Sequence, residues 1–384
     1  MLKSNTIITD NNTLKDFYNK CIKEKVLAID TEFIRDNTYY PSLCLVQIAG
    51  ENFSAAIDPL SGIEMQPVWD LLANETILKV FHSARQDIEI FLHLTGEIPK
   101  SIYDTQIAAM FCGLGDQVGY EKLVNKFLDI SINKENQFTN WLQRPLTKNQ
   151  IDYAISDVTH LIRIYHLISQ LIKELKRDSW VEKETNHLTN KSLYITEPKT
   201  AWERIKIKQA NRETLNYLKD LASWREIECK KRNIPRNRLI RDETLVNIAI
   251  LKPYEINKLK KIRGISKNLS NDDYNQIIET LKHSRKCNSN QWPQINNTYK
   301  KQNIDKCCLE LLRLLLTYCS DKSGLAQKLI ADSEDLRDVL YEPNENHKIF
   351  KGWRKEVFGN YVSLLLEGKL AFSIENKKIK KIKL

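Results

Sequence analysis

Asp30 and Glu32 stand two residues apart at the end of the apolar run Val26-Leu27-Ala28-Ile29. Residues two apart on a β-strand share a face, so the two acids point the same way. Like charges so placed repel and lose hydration unless a cation comes between them, and hard carboxylate oxygens suit Mg²⁺ or Mn²⁺. Downstream, Asp87 follows His82 by five residues, and Asp157 follows Tyr153 by one helical turn. Singly, each has an ordinary reading: a solvated acid, a helix-terminus acid favoured by the dipole, a boundary tyrosine, a strand-end histidine. Together they meet the needs of one reaction. In-line cleavage of a phosphodiester requires an attacking hydroxide and a stabilised leaving oxygen, and two metals about 3.5–4 Å apart serve both ends. Several carboxylates on separate rigid elements hold such a pair, one of them bridging. Tyr153, with an ordinary pKa of about 10, is a poor base, but its hydroxyl can orient the attacking water. Catalysis of this kind is positioning plus electrostatics.

The elements that must position these groups follow from periodicity. A strand near 5–9 and a helix over 12–25 precede the Asp30 strand. The segment after Pro41, Leu43-Cys44-Leu45-Val46-Gln47-Ile48-Ala49, is a second strand, and a turn at Gly50-Glu51-Asn52 leads to a third, giving a meander. A helix over 65–73 and a strand over 77–81 lead to His82, and Asp87 lies at the start of a helix stopped by Gly96. A short strand at Ile102-Tyr103-Asp104 enters the helix 106–111, and another helix covers 120–127. Residues 131–145 are loop-like. Thr147, with Gln150 three later, is a capping box opening a long helix whose apolar stripe includes Ile151, Ala154, Ile155, Val158 and Leu161. Tyr153 and Asp157 fall on a different stripe. Strands first, then strand–helix units, indicate an α/β domain around a mixed sheet over 1–175. A polar connector occupies 176–209. Helical spacing then resumes in two all-α modules, 210–290 and the more divergent 291–372, followed by a basic tail, 373–384, expected to fray.

Composition describes a soluble globular protein: of 384 residues, 42% are hydrophobic and 28% charged. Eight scattered cysteines with no C-x-x-C pair argue against a zinc site or a disulfide framework and fit a reducing cytoplasm. No uninterrupted apolar run approaches membrane length; 309–316 is broken by Glu310 and Arg313. The formal net charge of +10 conceals a split. Residues 1–175 carry 16 basic and 22 acidic side chains, and the remainder carries 43 and 27. A basic rear half attracts phosphate backbones that an acidic front half repels.

The motifs Asp30-Thr31-Glu32-Phe33, His82-x4-Asp87 and Tyr153-x3-Asp157 resemble those of the DEDDy 3′→5′ exonucleases. More narrowly, Thr38-Tyr39-Tyr40-Pro41, His82-Ser83-Ala84-Arg85-Gln86-Asp87 and Asp104-Thr105-Gln106-Ile107-Ala108-Ala109 resemble the bacterial ribonuclease D family. Trp224-Arg225 with Ile240-Arg241-Asp242, and Gly352-Trp353-Arg354, resemble HRDC domains. The resemblance implies an RNase H-like exonuclease domain followed by two HRDC-like modules. It also implies a metal-dependent 3′→5′ exoribonuclease that trims RNA 3′ ends, notably of tRNA precursors, and releases nucleoside 5′-monophosphates. Two divalent ions, Mg²⁺ or Mn²⁺, are implied, with Asp30 bridging, Glu32 and Asp157 on the nucleophile side, Asp87 on the other, and Tyr153 orienting water. Thr31, Phe33, His82 and Gln86 are the candidate substrate contacts. No organic cofactor and no membrane partner are expected, and a monomer suffices. Ser83 departs from the Ala or Asn common after the histidine. A DNA exonuclease would use the same carboxylates, and a degenerate, non-catalytic RNA-binding protein would keep only the helical modules. Lys230-Lys231-Arg232, Arg236, Arg238, Arg241, Lys258, Lys260, Lys261 and Arg263 are candidate phosphate contacts. RNA affinity is therefore expected to fall steeply with salt through counterion release. Filter binding across a salt series checks this, and a flat response would rule out an electrostatic grip.

Overall fold

The computed structural model describes residues 6–132, 139–207, 210–266, 269–294 and 305–384. Six strands, β1 (Thr6–Ile8), β2 (Val26–Ile34), β3 (Ser42–Ala49), β4 (Ser54–Ile57), β5 (Leu78–Phe81) and β6 (Ile102–Asp104), form one mixed sheet in the order β1-β4-β3-β2-β5-β6. β2, β3 and β4 are the expected antiparallel meander, β1 pairs parallel with β4, and β5 and β6 continue in parallel from β2. In the register, Asp30 lies opposite Gln47 and Glu32 opposite Leu45, and the pairing shifts between Glu32 and Phe33. The alternation that places both acids on one face therefore holds through the second acid. The bulge comes immediately after it, where such irregularities bend a strand and re-aim its side chains.

Helices cover both faces of the sheet. α1 (Asn11–Cys21), α2 (Gln66–Ala73) and α3 (Arg85–Thr95) bury Phe17, Leu71 and Phe91 against Leu27, Ile29, Val46 and Ile57. After α4 (Thr105–Phe111) and α5 (Tyr120–Leu128), the long α6 (Lys148–Glu174) lies on the other face, its Ala154, Ile155, Val158 and Leu161 packed against Ala28, Cys44, Leu45, Ala49 and Ala56. The capping box at Thr147 and Gln150 is formed. Because Asp30 and Glu32 alternate with Ile29 and Thr31, the acids face α6 while Thr31 faces α3. Asp157 is only 8% exposed. It lies at the border of the apolar stripe rather than on a separate solvated one, because position 157 is one turn from both Ala154 and Leu161.

Three boundaries differ from expectation. α1 ends at Cys21, and Lys23–Lys25 turns into β2. The connector contains a helix, α7 (Asp178–His187), whose Val181 joins a core cluster with Phe111 and Ile168. The basic tail is a hairpin, β7 (Leu370–Glu375) and β8 (Lys378–Lys383), joined at Asn376-Lys377, both with positive φ. Its lysines suggested fraying, but Ile374, Ile379 and Ile382 interleave with them, and a two-residue turn with positive φ at both positions matches strand twist. Parts of the loop 131–145 and of the polar break at 286–302 lie outside the described residues.

The first helical module comprises α8 (Arg212–Arg232), α9 (Arg236–Leu239), α10 (Asp242–Leu251), α11 (Ile256–Lys260) and α12 (Asn271–Lys286). Its sequence signature is structural: buried Arg225 donates to the Ile240 carbonyl (2.8 Å) and pairs with Asp242 (2.7 Å), while Trp224 donates to Gln276 (2.7 Å). The module grips the loop after β2. The Asn233 amide oxygen accepts from the backbone N–H of Tyr39 and Tyr40, each at 3.0 Å, and the Tyr39 hydroxyl joins Glu226 and Arg236.

The C-terminal module comprises α13 (Lys306–Ser323), α14 (Gln327–Ile330), α15 (Ser333–Tyr341) and α16 (Gly352–Arg354), which runs through a π-helical turn (Lys355–Gly359) into α17 (Asn360–Leu366). It shares one core with α4, α5, α6 and α7, where Phe111, Leu123, Ile164 and Ile168 meet Leu315, Val339 and Trp353. Trp353 stacks on Trp180 (5.7 Å between centroids) and donates to Glu184 (3.0 Å), which Arg354 also grips. Trp353→Ala should therefore cost about 3–5 kcal/mol and lower the melting temperature of exonuclease domain and C-terminal module together. Calorimetry checks this; two separate transitions, with only the later residues affected, would contradict a shared core.

Candidate active site

Every sequence-predicted site residue lines one cleft of about 830 Å³: Asp30, Thr31, Glu32, Phe33, His82, Gln86, Asp87, Tyr153 and Asp157. Three elements supply the acids: β2 gives Asp30 and Glu32 from its α6-facing side, α3 gives Asp87 from its first turn, and α6 gives Asp157. Thr31 lines the cleft and also braces it. Buried on the α3 side of β2, its hydroxyl donates to Asp87 Oδ1 (2.5 Å), so it ties the second acidic element to the first and has no proton left for a substrate.

Several supports carried no signal as site residues. Asp104 is buried at the end of β6 and accepts backbone N–H bonds from Ser83 (3.1 Å), Ala84 (2.9 Å) and Gln106 (2.8 Å). It fixes the turn that delivers His82 and starts α3, a turn in which Ser83 adopts φ 61°. That left-handed conformation suits Asn better than Ser, which gives the departure at Ser83 a small conformational cost. Arg144 clamps the loop carrying Trp141. It pairs bidentately with Asp58 (2.6 and 2.7 Å) and donates to the carbonyls of Trp141 (2.7 Å) and Cys44 (2.9 Å). Trp141 lines the cleft beside Tyr153 (6.3 Å between ring centroids). Tyr120 donates to the Asp157 carbonyl from behind. Their partners are distant in sequence, and only periodicity of neighbours could have hinted at them.

Electrostatically the cleft is a nest of uncompensated acids. Burial pushes Asp30 up to about 7, and burial followed by Asp30, Asp157 and Asp87 pushes Glu32 up to about 10. Asp87 and Asp157 are also raised, chiefly by burial and then by Asp30. Among the described residues no ion pair reaches any of the four; the nearby Arg35 is held by Glu89 (2.8 Å). Burial drives His82 down to about 4, so its ring is neutral at pH 7 and sits 3.0 Å from the Thr105 hydroxyl. Burial, then the neighbouring Asp157, Glu32 and Asp30, raise the Tyr153 hydroxyl, which stays protonated. Asp157 Oδ1 and both amide atoms of Gln47, the residue opposite Asp30, are buried without a protein partner. An all-oxygen, multiply anionic set with an open buried oxygen is the donor chemistry of Mg²⁺ or Mn²⁺. The site therefore fits a divalent cation.

Comparison with known proteins agrees. A family model described as 3′-5′ exonuclease matches residues 5–173, and one described as HRDC domain matches residues 214–281. Ribonuclease D of Zymomonas mobilis is 42% identical, with 97% of each chain covered. The chain belongs to the ribonuclease D family. It is thus a metal-dependent 3′→5′ exoribonuclease with an RNase H-like catalytic domain and an HRDC domain. Ribonuclease D of Sphingobium indicum is 40% identical, again with 97% of each chain covered. The crystal structure of Escherichia coli RNase D, described as an exoribonuclease involved in structured RNA processing, superposes with a TM-score of 0.82 at 26% identity, over 96% of this chain and 99% of that one. No described helix is long and apolar enough to cross a membrane, and all eight cysteines are free.

A carboxyl whose folded pKa lies above its unfolded value binds more protons when folded, so ionising it destabilises the fold. The metal-free ribonuclease D chain should lose stability as pH rises from about 4, the unfolded carboxyl value, through about 7 for Asp30 and towards about 10 for Glu32. Mg²⁺ should raise the melting temperature more at pH 8 than at pH 5.5, and Asp30→Asn should raise the metal-free value at pH 8. Melting in EDTA and in Mg²⁺ across this range tests both; equal slopes for wild type and variant would contradict the acid nest.

Proposed function

We infer that the four carboxylates hold two divalent ions, Mg²⁺ or Mn²⁺, and that the cleft removes nucleoside 5′-monophosphates from single-stranded RNA 3′ ends. The observation that carries this reading is the convergence of Asp30, Glu32, Asp87 and Asp157 from three elements, with no ion pair to any of them among the described residues. Asp30 would serve both ions, Glu32 and Asp157 the one beside the attacking water, and Asp87 the other. When bound, the ions supply charge for the attacking and leaving oxygens of an in-line displacement.

The chain's own groups do the rest. Thr31 holds one Asp87 oxygen, which leaves the other for a cation. The Tyr153 hydroxyl, kept protonated by burial and neighbouring acids, accepts from and orients water instead of removing its proton. Neutral His82 and exposed Gln86 border the substrate without adding charge. Phe33, displaced by the bulge, offers an apolar face to the terminal base. The first HRDC domain and the more divergent C-terminal module hold the RNA, a 3′-extended tRNA precursor, and the monomer acts in the cytoplasm.

A 5′-labelled tRNA precursor with a 3′ extension, incubated with Mg²⁺, should shorten in single-nucleotide steps. Asp30→Asn should slow the reaction at least about 10³-fold, and Tyr153→Phe about 10²-fold with melting temperature retained. Internal fragments, or full activity in EDTA or in Asp30→Asn, would refute the reading.

A further inference from the structure

A second concave surface adjoins the catalytic cleft. Its volume is about 580 Å³, and three parts of the chain wall it: α3 with the β2–β3 loop, the connector at 191–204, and α8 with the start of α9. Arg35 borders both clefts, so they meet across its ion pair with Glu89.

The charge of this surface is the reverse of its neighbour's. Six cations line it, Arg35, Arg85, Lys191, Arg204, Lys230 and Arg236, against one carboxylate, Glu89. Arg35 is cancelled by Glu89 and Arg236 by Glu226. The remaining four keep most of their charge. Arg85 and Lys230 donate to the neutral carbonyls of Leu193 (3.4 Å) and Thr196 (2.5 Å). Lys191 donates to the Gly96 carbonyl (2.8 Å), with exposed Glu97 further off at 3.4 Å. Arg204 is exposed and makes no ion pair among the described residues. Aromatic side chains line the same surface: Tyr40 stacks flat on His93 (3.7 Å, 5°), and Tyr194 donates to the Leu188 carbonyl (2.7 Å).

Cations for phosphates alternating with aromatic faces for bases are the chemistry of single-stranded nucleic acid binding. The volume is on the scale of a small-ligand site, roughly 300–1,000 Å³, which admits a nucleotide or two. We propose that this cleft is an upstream RNA subsite, binding the single-stranded nucleotides immediately 5′ of those seated among the carboxylates, with phosphates on Arg85 and Arg204. It rests on the exoribonuclease reading and explains how an acidic catalytic cleft retains a polyanion.

The test pairs binding with turnover. In the Asp30→Asn background, anisotropy with a fluorescent 12-nucleotide RNA should show Arg85→Ala/Arg204→Ala weakening affinity about tenfold, and the slope of log affinity against log salt should shrink by about 1.4, or about 0.7 for each lost phosphate contact on a single strand. In the otherwise wild-type enzyme the same pair should raise KM for the 12-mer while leaving kcat, and turnover of a dinucleotide too short to reach the cleft, unchanged. Arg85→Lys/Arg204→Lys should restore binding, which separates charge from folding. Unchanged 12-mer affinity and salt slope in the double alanine variant overturn the subsite, as does equal damage to dinucleotide turnover. If wild type degrades neither RNA, the exonuclease reading fails, and the binding arm still decides the subsite.

Discussion

Mutual repulsion among four buried carboxylates is the constraint to which the rest of the structure answers. At an effective dielectric near 20, two unit charges about 4 Å apart interact with about 4 kcal/mol, against a total folding stability of roughly 5–15 kcal/mol. Asp30, Glu32, Asp87 and Asp157 cannot all ionise in the bare protein at that scale, and their raised pKa values express it. A fold that keeps such a group together must hold it from outside. Asp104 collects backbone N–H groups from the turn before α3 and from the first turn of α4, Thr31 fixes Asp87, and Arg144 ties the Trp141 loop to Asp58. Each support uses a strong, charge-assisted or buried bond placed just behind the acids, where it restricts their movement without neutralising them.

The topology distributes the strain. The sheet delivers Asp30 and Glu32 on one face and Thr31 on the other, so a single strand reaches α6 and α3 at once. The two helical modules then hold the catalytic domain at different places. The first grips the β2–β3 loop through Asn233, Tyr39 and Glu226, directly beyond the strand that carries two of the acids. The second shares a core with α4–α7. Displacing either module therefore disturbs an element that positions the cleft, which joins substrate-holding surfaces to the catalytic strand through packing.

Much of this was legible in the residues. Period-two and period-3.6 patterns located the meander and α6, and the capping box at Thr147 and Gln150 marked the latter's start. The five motif residues and their cleft neighbours were named from spacing and resemblance, and all share one cleft. What escaped reading was long-range. Asp104 looks like a helix cap until Ser83 and Ala84 turn back to it, and Gln47 is one polar residue in an apolar strand until the register sets it against Asp30. The hairpin at 370–383 escaped because lysine content outweighed its alternation. The bond from Thr31 to Asp87 escaped because sequence gives a residue's neighbours and face, not the partner its hydroxyl chooses.

Net charge was the least faithful guide, for the same reason. Several cations named from the basic rear half are consumed inside the fold: Arg232 by Glu228 and Asp273, and Arg236 by Glu226 and Tyr39. These pairs are staples, and a paired guanidinium attracts phosphate far less than a free one. Lys231, Arg241, Lys261 and Arg263 are exposed and make no ion pair among the described residues. The concentrated positive surface lies instead at the junction of catalytic domain, connector and first module, where Arg85 and Arg204 come from segments that composition assigned to the acidic half and to a polar linker. A field that can steer RNA into an acidic cleft has to begin beside that cleft, within about a Debye length of 8–10 Å at physiological salt. Sequence-wide totals cannot reveal such proximity; it arises only when the chain folds three separate stretches around one opening.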